Sequence, residues 1–213
     1  MMTFAPDLPE DGVVLCLGAH CDDIEIGCGG TLLELRSRYP KLHFVWRVLS
    51  GENGRDAETI SAADRLLGRD CDVGVGSFRG SFMPFAGAEL KEFFEALKAS
   101  VQPDLIFTHL LQDRHQDHRI IAELTWNTFR NHTVFEYEIP KYEGDLGHPN
   151  VYVPLSAATV DHKISTLIEC FASQRSRQWF DRDLFLAHLR LRGVECNAAS
   201  RFAEAFHVRK LVL

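Results

Sequence analysis

Several features are missing from this sequence of 213 residues. Its six cysteines (Cys16, Cys21, Cys28, Cys71, Cys170 and Cys196) contain no CxxC pair. A cysteine-built zinc knuckle is therefore not expected, and reduced thiols in a cytoplasmic setting are. No run of about 18 apolar residues occurs, so no spanning helix is expected. The opening MMTFAPDLPEDG is acidic and lacks an apolar segment, which argues against a signal peptide. The glycines around Gly27–Gly30 match neither a G-x-G-x-x-G fingerprint nor a P-loop. A loop packed tightly against a site is the expectation there. The formal net charge is −7, with no long run of one sign. Nucleic acid, which requires a clustered basic face, is excluded as a partner. An anionic small molecule is not, because a few arginines can gather locally.

What is present suits one α/β domain over residues 1–213. Hydrophobic residues make up 46% and charged residues 25%, so a core is available without staples. Val13–Gly18 (VVLCLG), Leu42–Leu49 (LHFVWRVL) and Asp104–His109 (DLIFTH) read as buried strands. Thr31–Arg38, Glu58–Leu67, Glu89–Val101 and Asp117–Phe129 carry helical periodicity, with Leu90, Phe93, Phe94 and Leu97 on one face of the third. Val134–Ile139 and Val151–Leu155 are β-like, Ala158–Phe171 and Asp181–Leu191 helical, and Phe206–Leu213 β-like. Strand–helix alternation over the first 130 residues implies crossover helices, hence a three-layer α/β/α, Rossmann-like domain with a mostly parallel sheet.

Two polar clusters follow apolar strands. His20-Cys21-Asp22-Asp23 follows the first, and His115-Gln116-Asp117-His118 comes soon after DLIFTH. Ligands of doubly wound sheets bind beyond the carboxyl ends of the strands, so both clusters are expected on one rim. Two imidazoles and one carboxylate, with a position left for water, make a catalytic zinc site, and His20, Asp23 and His118 can supply that set. Water on such a metal has its pKa lowered toward about 7, and a neighbouring carboxylate can take its proton. Asp22 is the natural base. His115, as an imidazolium, can stabilise an oxyanion or protonate a leaving amine. Asp117 can orient His115 or His118.

These motifs resemble those of the LmbE-like or PIG-L deacetylases, zinc enzymes that remove N-acetyl groups from amino sugars. The family's first motif, His-Pro-Asp-Asp followed by glycines, reads AHCDDIEIGCGGTL here, with Cys21 in the proline position. Its second, His-x-Asp-His, reads RHQDHR. SGENGR with Glu58, Ser173-Gln174, and AEAF at Ala203–Phe206 are similar too, so the resemblance spans nearly the whole chain. It implies zinc on His20, Asp23 and His118, Asp22 as base, and His115 as acid or oxyanion partner. The implied partner is an N-acetylated sugar or sugar conjugate such as an N-acetylglucosamine derivative.

Other readings compete. Asp22, Asp23 or Asp117 can cap helices, but capping does not explain the histidines beside them. Cys21 can ligate a metal or simply pack. Arg55 and His148 are candidate substrate contacts. Arg175 and Arg177 can meet a phosphate or form a solvated helix end. Two histidines and a carboxylate also hold Fe2+ in oxygenases, although usually on β-rich scaffolds. An amidase acting on a non-sugar conjugate and a non-catalytic binding module remain as alternatives. A homo-oligomer is left open. The loops Lys141–Pro154 and Ser173–Asp183 are expected to shape the pocket.

Overall fold

A computed structural model describes residues 6–212, the side chain of Asn53 excepted. Strands β1 (Val13–Gly18), β2 (His43–Val48), β3 (Asp72–Val75), β4 (Leu105–His109), β5 (Thr133–Tyr137), β6 (Val151–Pro154) and β7 (Ala203–Val208) form one sheet in the order β3-β2-β1-β4-β5-β7-β6. The first five are parallel, and β7 runs antiparallel to both β5 and β6. Helices α1 (Asp23–Arg38), α2 (Asp56–Leu67), α5 (Ala157–Cys170) and α6 (Arg182–Glu195) cover one face. They enclose a core that includes Cys16, Trp46, Leu66, Ile164 and Leu189. Helices α3 (Gly87–Ser100) and α4 (Gln116–Thr128) cover the other, over Leu15, Leu17, Phe94, Ile106 and Ile121. Both faces of β1 and β4 are thus buried, which is why they read as continuous apolar runs. No described helix is long and apolar enough to cross a membrane.

The strand order places the site. From β1 the sheet grows one way through β2 and β3 and the other way through β4 and β5. β1 and β4 are adjacent and parallel, so the order reverses between them. The two polar clusters follow those two strands.

Two expectations need correction, and one strand went unread. Helix α1 begins at Asp23 rather than Thr31 and runs through the glycines. They are there for close packing: a Cβ on Gly27 would lie 2.2 Å from the Tyr137 ring, and one on Gly30 would lie 2.5 Å from Leu155. β3, whose sequence DVGV is short and only half buried, gave no readable strand signal. The closing strand is Ala203–Val208, not Phe206–Leu213. Leu213 and the start of the acidic opening, residues 1–5, lie outside the described residues.

Candidate metal centre and active site

The backbone N–H of His20 donates to Asp23 Oδ2 at 2.6 Å and closes the turn between β1 and α1. Asp22 occupies the N-cap position, yet its side chain caps nothing, so capping does not account for it. On the other side of the switch point, His115 caps α4: its Nδ1 accepts from the Asp117 N–H at 3.2 Å. This turns His118 inward from the first turn of the helix.

Three side chains face one point. His20 Nδ1 stands 3.3 Å from His118 Nε2 and 3.4 Å from Asp23 Oδ2, and His118 Nε2 stands 3.5 Å from Asp23 Oδ1. Tetrahedral ligands about 2.0–2.1 Å from a zinc ion are themselves roughly 3.3–3.4 Å apart. The set therefore fits a zinc-sized ion. Both imidazoles are held from behind by carboxylates, as ligating histidines commonly are. Asp117 Oδ2 lies 3.0 Å from His20 Nε2, and Asp113 Oδ2 lies 3.0 Å from His118 Nδ1. Lys141 Nζ donates to the same Asp113 oxygen at 2.9 Å.

The electrostatics of these groups diverge. Burial lowers His20's proton affinity, but the carboxylates of Asp23, Asp117 and Asp22 outweigh it and raise the pKa to about 10. Without a metal, the pocket thus demands a positive charge. Burial and neighbouring His109 lower His118 to about 3, leaving a neutral imidazole. Asp23 resists burial because His118, His109 and His20 surround it, and it stays well below the usual carboxylate range. Asp22 goes the opposite way: burial and the Asp23 charge raise it, against Arg55, whose Nη2 lies 3.0 Å from Asp22 Oδ1. A raised carboxyl pKa suits a base.

A profile of the PIG-L family (GlcNAc-PI de-N-acetylase) matches residues 15–129, more than half of the chain and the stretch holding both clusters. The chain belongs to the PIG-L family. Solved structures agree on the fold. The N,N'-diacetylchitobiose deacetylase of Pyrococcus horikoshii superposes with a TM-score of 0.69 at 18% identity, covering 93% of this chain and 84% of that one. The conserved protein TT1542 of Thermus thermophilus gives 0.72 at 23% identity over 95% and 96%. GalB, the 4-carboxy-2-hydroxymuconate hydratase of Pseudomonas putida KT2440, gives 0.74 at 17% identity over 95% and 98%. One fold thus carries more than one named chemistry.

Within this PIG-L domain, the six residues expected to form the centre come together. Some roles differ. Asp117 holds His20, not His115 or His118; its carboxylate also accepts from the N–H groups of Ser81 (2.6 Å) and Met83 (3.2 Å). His115 is not set up as an imidazolium. Burial and His20 lower its pKa below the usual 6.5, and its Nδ1 is an acceptor, so the neutral ring carries its proton on Nε2. Arg55 meets Asp22, its other near partner being Glu58 at 3.7 Å. Glu58 in turn accepts from Ser173 N and Oγ, which ties the SGENGR and Ser173-Gln174 segments together. His148 is exposed, and no hydrogen bond ties it to the centre. Cys21 packs: its buried thiol donates to Ser50 O at 3.3 Å and is pushed up to about 11 by burial. Arg175 donates to the carbonyls of Ile168 and Glu169, the solvated helix end.

Three residues escaped the sequence reading. Asp113 and Lys141 are described above. His109 stacks on His118 at 3.9 Å with its Nε2 3.3 Å from Asp23 Oδ2. Its position as the last residue of β4, facing the rim, was the available signal. In the two late loops, Lys141, Tyr142, Asp145 and Leu146 face Gln178, Trp179, Asp181 and Asp183 across a groove of about 550 Å3, which none of the six residues of the centre lines.

Proposed function

We propose that the protein is a metal-dependent deacetylase that removes the N-acetyl group of an amino sugar or sugar conjugate, releasing acetate and a free amine. The observation that carries this is the convergence of His20 Nδ1, Asp23 and His118 Nε2 beside the buried, partly protonation-prone Asp22. Family membership supports it, as does the deacetylase named among the fold neighbours. His20, Asp23 and His118 would hold zinc, with Fe2+ as the alternative, and the ion would polarise the acetamide carbonyl and acidify a water. Asp22 takes the proton of the attacking water, held in place by Arg55. The Nε2–H of neutral His115 donates to the developing oxyanion. Asp22 then returns its proton to the leaving nitrogen, so the proton count closes without an outside acid.

Metal analysis beside an acetate-release screen over N-acetylated sugars, nucleotide sugars and glycosides tests this reading. The wild type should carry about one divalent ion per chain. His20→Ala and His118→Ala should each lose most of it. Full occupancy in both variants overturns the ligand set. A metal-loaded protein that releases acetate from none of these, yet cleaves a non-sugar amide, overturns the substrate class. Oxygen uptake with a 2-oxo acid overturns hydrolysis altogether.

A further inference from the structure

The segment between β3 and α3, Gly76–Ala86, turns Phe78 onto the core and presents Phe82 and Phe85 outward on a backbone held by several hydrogen bonds. Gly80 N donates to Glu52 Oε2 at 3.1 Å, Ser81 N to Asp117 Oδ2 at 2.6 Å, Met83 N to Asp117 Oδ1 at 3.2 Å, and Gln116 Nε2 donates to Ser81 O at 3.2 Å. Met83 is fully buried. Ser81 has φ = 64°, a left-handed conformation that is unfavourable for a non-glycine residue and that such fixed contacts sustain. Phe82 and Phe85 nevertheless remain 43% and 84% exposed, 6.2 Å apart. The Arg79 guanidinium lies 3.7 Å over the Phe82 ring. Arg79 is exposed, and among the described residues no carboxylate lies within ion-pair distance of it.

A stapled backbone carrying two exposed phenyl rings and a guanidinium that stacks on one of them without a carboxylate partner is preorganised for a ligand rather than for the core. Its place identifies the ligand. It follows the carboxyl end of β3 on the rim that carries the metal centre, and Asp117 is shared between it and His20. We infer that Arg79, Phe82 and Phe85 form a recognition arm for the part of the substrate beyond the acetamide-bearing sugar. That part is an aglycone with an apolar or aromatic body and a negative charge, the phenyl rings taking the body and Arg79 the anion. This inference rests on the deacetylase reading of the centre.

The test compares 4-carboxyphenyl and methyl glycosides of N-acetylglucosamine. The ratio of their kcat/KM values should favour the carboxyphenyl glycoside in the wild type. It should fall by about tenfold or more in Phe82→Ala/Phe85→Ala, the scale of one aromatic contact, and by about threefold to tenfold in Arg79→Gln, in both cases through KM. The neutral phenyl glycoside should respond to the phenylalanine pair and not to Arg79. Calorimetric binding of the same glycosides reads the arm independently of turnover. A wild type that releases no acetate but binds the carboxyphenyl glycoside preferentially, with that preference lost in the variants, keeps the arm and sinks the deacetylase reading. An unchanged ratio or unchanged binding preference in the variants overturns the arm.

Discussion

Buried carboxylates occur in two settings in this molecule. Behind the sheet, Glu204 of β7 and Lys163 of α5 are both nearly inaccessible and pair at 2.5 Å. Glu204 accepts the N–H groups of Gly30 and Thr31 at 2.8 and 2.6 Å, and Lys163 donates to Ile26 O at 2.7 Å. The pair lies against α1, Lys163 meeting the Ile26 carbonyl and Glu204 the N–H groups one turn further on. Glu138, just past β5, is closed in the same way by Arg192 and the Gly147 N–H. At the rim the arrangement is different. Asp22, Asp23, Asp113 and Asp117 converge on two histidines, and polar atoms remain without hydrogen bonds, among them both oxygens of Glu25 and Nδ1 of His109. A closed cluster brings its own counter-charge, Lys163 for Glu204 and Arg192 for Glu138. An open one leaves donors and acceptors aimed at something that the chain does not contain, and that contrast separates structural from functional buried charge.

The sharpest way to break the contrast is at the two adjacent aspartates. Asp22→Asn should keep the metal and lower turnover by about 10²–10⁴, the usual contribution of a general base. Asp23→Asn should lose metal and activity together. Metal content beside kcat for the two variants decides it; if Asp22→Asn strips the metal and Asp23→Asn keeps it, the two roles are exchanged.

The clasp should behave in the opposite way. Lys163→Met leaves a buried carboxylate uncompensated and should reduce unfolding free energy by about 3–5 kcal/mol. Metal content and turnover per folded molecule should hold. Lys163→Met/Glu204→Gln should lose less than the two single changes added together, since both act on one pair. Denaturant unfolding with metal analysis checks both, and a folded Lys163→Met protein without metal would mean that the clasp belongs to the site.

The sequence made the rim legible because its candidate ligands stand in two short motifs after two apolar strands, where chain topology alone brings them together. It made the supporting partners illegible. Asp113 and Lys141 meet only once the β4–α4 and β5–β6 connections fold together, at a separation of 28 residues. The helix expected to start at Thr31 starts at Asp23, yet the expectation marks something physical: Glu204, distant in sequence, caps the N–H groups of Gly30 and Thr31 as a helix-start residue would. Local propensity marks the glycines of α1 as poor helix formers and cannot supply the distant carboxylate that meets them.

The smallest expected effect concerns the other closed cluster and pH. Burial alone would raise the Glu138 pKa, but His188 and His207, followed by Arg192 and the Gly147 N–H, hold it far below the ordinary 4.5. A carboxyl whose pKa is depressed on folding adds stability above its unfolded pKa, and that contribution is lost as pH falls toward the folded value. Glu138→Gln should therefore be less stable than wild type near pH 7. The gap should narrow below about pH 4.5, by about 1.4 kcal/mol per pH unit once the unfolded chain is protonated. The difference between the two unfolding curves, measured in chelator, is the quantity to follow. The rim carboxylates Asp23 and Asp113 are also depressed and steepen the acid limb of both proteins, so they cancel in the difference. A gap that stays constant from pH 7 to pH 3.5 would show that Glu138 is not held ionised by its partners, and that the cluster is closed in geometry alone.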